Sequence, residues 1–176
     1  MIIPNQVAFV DRHTILFERQ LEADIDRVWT AVSRESELAH WFMPTKIELK
    51  ENGKFSFEGG WDGWVSNLNP PYHLQFNVTA VSYTRFELAL TGTGTHFSLI
   101  DRLPPHELAP QPHDNVLATN QPGGPSTHWT GVVAGWHCFV NSLESYLNGG
   151  PDPTDYDKMC EEYDSFLRNY YASKEE

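Results

Sequence analysis

One stripe of side chains constrains this chain more than any other feature. Val132, Trp136, Phe139, Val140, Leu143 and Leu147 recur at helical spacing, while Asn141, Ser145 and Asn148 fall away from them. That period predicts an amphipathic helix over 131–148, ended by the Asn148, Gly149, Gly150, Pro151 run. Its apolar face has to be covered, and the segments before it read as strands. From His13 onward Ile15, Phe17 and Leu21 take one face, and Thr14, Glu18, Gln20 and Glu22 the other, with Leu16 the exception. Ile47 and Leu49, then Phe55 and Phe57, repeat the alternation over 45–50 and 54–58, around a turn at Glu51, Asn52 and Gly53. Further strands are expected over 72–82, 85–90 and 96–101. The Thr91, Gly92, Thr93, Gly94, Thr95 run reads as a turn, because a phosphate-binding glycine loop needs a helix after it and a strand follows here.

Between the first strand and the second lie two short helical patterns. Ile25, Val28, Trp29 and Val32 fall at i, i+3, i+4 and i+7, with Asp24 placed to cap and Asp26 placed at the positive helix end. Ser33 is the expected cap of the next helix, which delivers Leu38, Trp41 and Phe42 before Pro44 stops it. Gly135 sits inside the long helix, where glycine costs about 1 kcal/mol against alanine, and is expected to permit a close backbone approach. A last pattern, Tyr156, Met159, Cys160, Tyr163, Phe166, Leu167 and Tyr170, predicts an extra C-terminal helix within 153–171. It is expected to dock either on the domain or on a second subunit as a homodimer contact.

Strand, two short helices, a run of strands and a long helix together predict an α+β helix-grip architecture. Here a curved antiparallel sheet of six or seven strands surrounds the long helix. Two motifs point to a family: a Val28-Trp29 pair followed by Trp41-Phe42, and the later Ala134-Gly-Trp-His137. With these the chain resembles the START-like (SRPBCC) superfamily over about 13–149, and within it the branch of Hsp90-ATPase-activator homologues. The resemblance implies the same START/Bet v1-like fold and a cavity of the kind that START-like proteins use for lipids and polyketides. Related chains reach the Ala-Gly-Trp helix by a shorter connection. The proline-rich 103–130 stretch is therefore an insertion, expected to be either a lid or a passive loop.

The 176 residues, 40% of them hydrophobic, fit a single domain over 1–176 that buries about 70% of its unfolded surface. A net charge of −12 argues against nucleic acid or an anionic membrane as partner, since both require a basic footprint. No apolar run approaches a membrane span, so a soluble, cytoplasmic protein without membrane insertion is expected. Cys138 and Cys160 lack metal or redox spacing and read as reduced core or boundary residues. The eight histidines show no HExxH-like spacing, so neither metal nor other cofactor is expected.

The candidate ligand-binding residues follow from strand and helix phase. Phe42, Trp61, Trp64, Phe76, Trp129, Val132, Trp136, Phe139, Val140 and Leu143 are expected to line a cavity, or else simply to fill the space. Arg19 falls on the inward phase between Phe17 and Leu21, where a guanidinium needs a partner or a bound anion unless the strand end is exposed. His128 begins the long helix, and His137 flanks its apolar stripe. Either could act as acid or base if it reached the cavity. No nucleophile signature appears, and Cys138 on a buried helix should have a raised thiol pKa. The leading expectation is a binder of a small apolar or amphipathic ligand. A cyclase or hydratase on the same cavity and a chaperone-interaction module are its rivals.

Overall fold

The computed structural model describes residues 6–11, 13–58, 60–103 and 125–172, with the side chains of 125–129 and 168–172 outside that description. Eight strands form one antiparallel sheet: β1 (Val7–Asp11), β2 (Thr14–Leu21), β3 (Thr45–Ile47), β4 (Lys54–Phe57), β5 (Trp61–Asn69), β6 (His73–Asn77), β7 (Tyr83–Thr91) and β8 (Gly94–Arg102). Their spatial order is β1-β2-β8-β7-β6-β5-β4-β3. The architecture is the helix-grip fold, with eight strands where six or seven are expected. The strands beyond the six placed from the sequence are β5 and β1, the latter pairing with β2 through Val7 opposite Phe17 and Phe9 opposite Ile15. Its apolar residues alternate, Val7 and Phe9 half-buried and Ala8 and Val10 exposed, Val10 at 61%, as suits an edge strand with one face against the domain.

The connection from β2 to β3 runs through α1 (Ile25–Ser33) and α2 (Glu35–Trp41). Asp24 caps α1 as expected, its carboxylate accepting from the Arg27 backbone N–H at 2.8 Å. Ser33 does not cap α2. It is the last residue of α1, donating its hydroxyl to the Trp29 carbonyl, and Arg34 occupies the cap position without a side-chain bond. Trp41 is fixed by its indole N–H, which donates to the Ala31 carbonyl at 2.8 Å.

The long helix α3 (Pro125–Leu147) begins before the expected Gly131, so the last residues of the proline-rich stretch are helical. The lid-or-loop expectation for the rest of it lies outside the described residues. One face of α3 (Val132, Trp136, Val140, Leu143) lies in a core with Phe17, Phe76, Phe86, Phe97 and Leu99 of the sheet. Buried Val133, His137 and Cys138 extend the burial round the helix, because α4 (Tyr156–Ala172) crosses it on the side away from that stripe. The C-terminal helix therefore docks within its own chain, through Tyr163 and Leu167, both fully buried. Full burial of such side chains contributes roughly 1.5–3 kcal/mol each. Phe166 of α4 stacks on Phe9 of β1 with ring centroids 6.1 Å apart. The close approach at α3 occurs at Gly131, where a Cβ would stand 2.9 Å from the Tyr156 hydroxyl. At Gly135 the nearest neighbour is the Tyr156 ring at 3.8 Å.

Candidate functional site

The space between α3 and the sheet is occupied by a continuous chain of aromatic rings. Trp136 stacks on Phe42 with centroids 5.4 Å apart and 7° between planes, and Phe139 meets both rings edge-on. Phe42 then meets Phe57 at 5.0 Å, Phe57 meets Phe76, and the contact passes through Phe86 to Phe97. Tilted and T-shaped pairs such as these favour the ring quadrupoles and fill volume well. One polar atom interrupts the apolar wall. The Trp136 indole N–H is buried and has no acceptor among the described residues, although the side chain is 2% exposed.

Arg19 lies on the inward phase of β2, as its position between Phe17 and Leu21 requires, and its side chain is 11% exposed. It is not at an open strand end. Its guanidinium donates to Gln6 Oε1 at 3.0 Å and Asn141 Oδ1 at 3.2 Å, and lies 3.8 Å from the Glu144 carboxylate. Gln6 Oε1 also lies 2.7 Å from His137 Nε2, while His137 Nδ1 lies 2.9 Å from the Tyr163 hydroxyl. An amide oxygen only accepts, so His137 carries its proton on Nε2 and accepts from Tyr163 at Nδ1. Burial first, then the Arg19 charge, push the His137 pKa down to about 4. The imidazole is thus neutral near pH 7 with both nitrogens engaged, a structural arrangement that leaves no nitrogen free for proton transfer. Burial likewise pushes the Cys138 thiol up to about 11, so it is no nucleophile.

The remaining candidates divide by sheet phase. Phe42, Phe76, Val132, Trp136, Val140 and Leu143 face the interior, and Phe139 is half-buried beside them. Trp61 pairs with Phe57 and so shares its face, but it stands at the strand end, 38% exposed. Trp64 corrects the expectation. Opposite Lys54 and Asn77, it points to the outer face, because residues three apart in a strand lie on opposite sides. The side chains of His128 and Trp129 lie outside the described residues. No group of three His, Cys, Asp or Glu side chains among the described residues could hold a metal ion, and no helix among them is long and apolar enough to cross a membrane.

The sequence model of the family described as activator of Hsp90 ATPase homolog 1-like protein matches residues 22–148. The chain belongs to this family. Among solved structures it is similar to CalU16 from Micromonospora echinospora, with 21% identity, a TM-score of 0.63, and 91% of this chain and 86% of that one covered. It is also similar to EF2215 from Enterococcus faecalis, a conserved protein of unknown function, with 20% identity, a TM-score of 0.65, and coverage of 90% and 88%. DynU16, a protein of the dynemicin biosynthetic locus, shares 21% identity and a TM-score of 0.59, covering 82% of this chain and 51% of that one. At such identities the likeness shows the fold. Among curated proteins none matches.

The activator-homologue segment contains the whole aromatic chain from Phe42 to Trp136, but not every member of the polar cluster. His137, Asn141 and Glu144 lie inside 22–148, whereas Gln6, Arg19 and Tyr163 lie outside it. Sequence periodicity could not have found the cluster, because Gln6 and Tyr163 are 131 and 26 residues from His137.

Proposed function

We propose that this activator-homologue-like chain binds a small apolar or amphipathic ligand between α3 and the sheet, at the Trp136 end of the aromatic chain. The observation that carries the reading is the Trp136 indole N–H, which is buried without an acceptor among the described residues, on a ring packed against Phe42 and Phe139. A buried donor left unmade costs about 1–3 kcal/mol, and a ligand carbonyl, carboxyl or hydroxyl oxygen would restore its bond. The apolar remainder of the ligand would displace the Phe42 and Phe139 rings and bury against them, the usual division between affinity and orientation in such sites. The superfamily's fold and the biosynthetic-locus setting of DynU16 support the same class of ligand. Catalysis of cyclase or hydratase type would need a titratable group facing that ligand; His137 is turned away into its own network, and the side chain of His128, the better candidate, lies outside the described residues.

The test is native mass spectrometry of protein purified from its own host, together with titration by the fluorescent apolar probe anilinonaphthalene sulfonate. A retained mass, or saturable probe binding weakened by Trp136→Phe in a folded protein, is the expected result. No adduct and no saturable binding would overturn the reading.

A further inference from the structure

The chain holds two Asn-Gly pairs, Asn52-Gly53 and Asn148-Gly149. A glycine after asparagine leaves its own backbone nitrogen unshielded by a side chain, so that nitrogen can reach the asparagine carboxamide and close a five-membered ring. The fold treats the two pairs in opposite ways.

Asn52-Gly53 lies in the turn between β3 and β4 and is clamped to β5. The Asn52 N–H donates to the Val65 carbonyl at 2.8 Å, and the Val65 N–H donates to the Gly53 carbonyl at 2.7 Å. The Gly53 N–H, whose nitrogen would have to attack, donates to the Lys50 carbonyl at 2.9 Å. Gly53 is buried, and even a Cβ added there would meet the Glu48 carbonyl. Freeing this nitrogen therefore means opening the edge of the sheet.

Asn148-Gly149 stands where α3 ends. Gly149, at φ +69°, and the Gly150 N–H, which donates to the Ser145 carbonyl at 2.8 Å, form the left-handed cap that commonly closes a helix. The Asn148 and Gly149 N–H groups donate to the Glu144 and Tyr146 carbonyls, both at 3.2 Å, the long end of the ordinary range. Asn148, Gly149 and Gly150 are all exposed, and a Cβ on Gly149 would meet nothing within 4 Å. Here the loss of one hydrogen bond, at a helix end that frays at little cost, frees the Gly149 nitrogen and lets the Asn148 carboxamide turn toward it.

We propose that Asn148 is a site of spontaneous intramolecular modification in the folded protein, converting to isoaspartate and aspartate, while Asn52 is protected. The Gly149 nitrogen gives up its proton and attacks Asn148 Cγ. The N–Cγ bond forms, the Cγ–Nδ2 bond breaks, and the amide nitrogen leaves as ammonia. Water then opens the resulting succinimide at either carbonyl. One opening gives aspartate, and the other gives isoaspartate, whose backbone runs through the side chain and is one methylene longer. Both products put a carboxylate at the negative end of α3, where it is unfavourable. They do so in the link that leads to α4, next to the Ser145 hydroxyl bond to the Pro151 carbonyl.

The test is ageing of the folded full-length protein at mildly alkaline pH, which favours the deprotonated amide, followed by peptide mapping with electron-transfer fragmentation. A urea-unfolded sample aged alongside reports the intrinsic chemistry of both pairs. The peptide holding Asn148 should gain the mass of an amide-to-acid conversion at least about tenfold faster than the one holding Asn52 in the folded protein, because frayed helix ends open far more readily than strand-bonded turns. In the unfolded sample the two rates should converge, and Asn148→Gln, which would need a larger ring, should remove the signal from the folded protein. The proposal is overturned if Asn52 converts as fast as Asn148 in the folded protein. It is overturned equally if Asn148 stays intact there over a time in which the unfolded sample converts.

Discussion

His137 Nδ1 accepts a hydrogen bond from the Tyr163 hydroxyl at 2.9 Å, which ties α4 to the inner helix through a neutral imidazole. Tyr163→Phe keeps the ring and removes the donor. It is expected to leave Nδ1 buried and unpaired and to lower stability by about 1–3 kcal/mol. Urea unfolding with an unchanged m-value would confirm it.

The same imidazole makes stability depend on pH. Its folded pKa of about 4 lies below the ordinary 6.5, so the unfolded chain takes up a proton first as pH falls. Around it stand Arg19 and Phe17 from β2, Gln6 before β1 and Tyr163 from α4, with Arg19 the charged group among them. The histidine's contribution is fully present above pH 6.5 and is lost progressively toward pH 4. The loss amounts to at most about 3.5 kcal/mol, at about 1.4 kcal/mol per pH unit between 6.5 and 4. Unfolding free energies measured from about pH 7 down to pH 5 should fall in the parent and fall less steeply in His137→Gln.

The two helix glycines should respond differently to alanine. Gly135→Ala meets only ordinary contact at 3.8 Å from the Tyr156 ring, so the helix gains about 1 kcal/mol from propensity alone. Gly131→Ala places a methyl 2.9 Å from the Tyr156 hydroxyl, which bonds the Gly131 carbonyl at 3.3 Å. That half-exposed side chain must move and give up its bond, so the gain should be smaller. Thermal unfolding of both variants ranks them.

Trp136 separates packing from its unmet donor. Trp136→Phe keeps a ring against Phe42 and removes the orphan N–H, so the lost contacts and the relieved donor oppose each other. Its cost in ligand-free protein is expected to stay below about 1.5 kcal/mol. Trp136→Ala empties the site and should cost about 3–5 kcal/mol. Equal losses in urea unfolding would show that the N–H carries no penalty.

What could be read from the sequence was local. Asp24 caps α1, and Ile25, Val28 and Val32 are buried, because cap and period lie within one helical turn or two. Arg19 was placed on the inner face by alternation alone, yet its partners Gln6 and Asn141 lie 13 and 122 residues away, and no spacing rule reaches that far. β1 is an apolar run of only four residues, Val7 to Val10, whose half-buried and exposed side chains alternate over just two periods, too short for the period alone to mark a strand. Trp64 lies on the outer face because it stands three residues from Trp61 in a strand whose side chains alternate, a period that a shared glycine-rich, aromatic composition does not show.

The crossing of α4 over α3 also imposes an order on assembly. A ribosome completes α3 before it makes the helix that covers Val133, His137 and Cys138, so the nascent chain presents that buried surface to solvent and to chaperones until Tyr163 and Leu167 emerge.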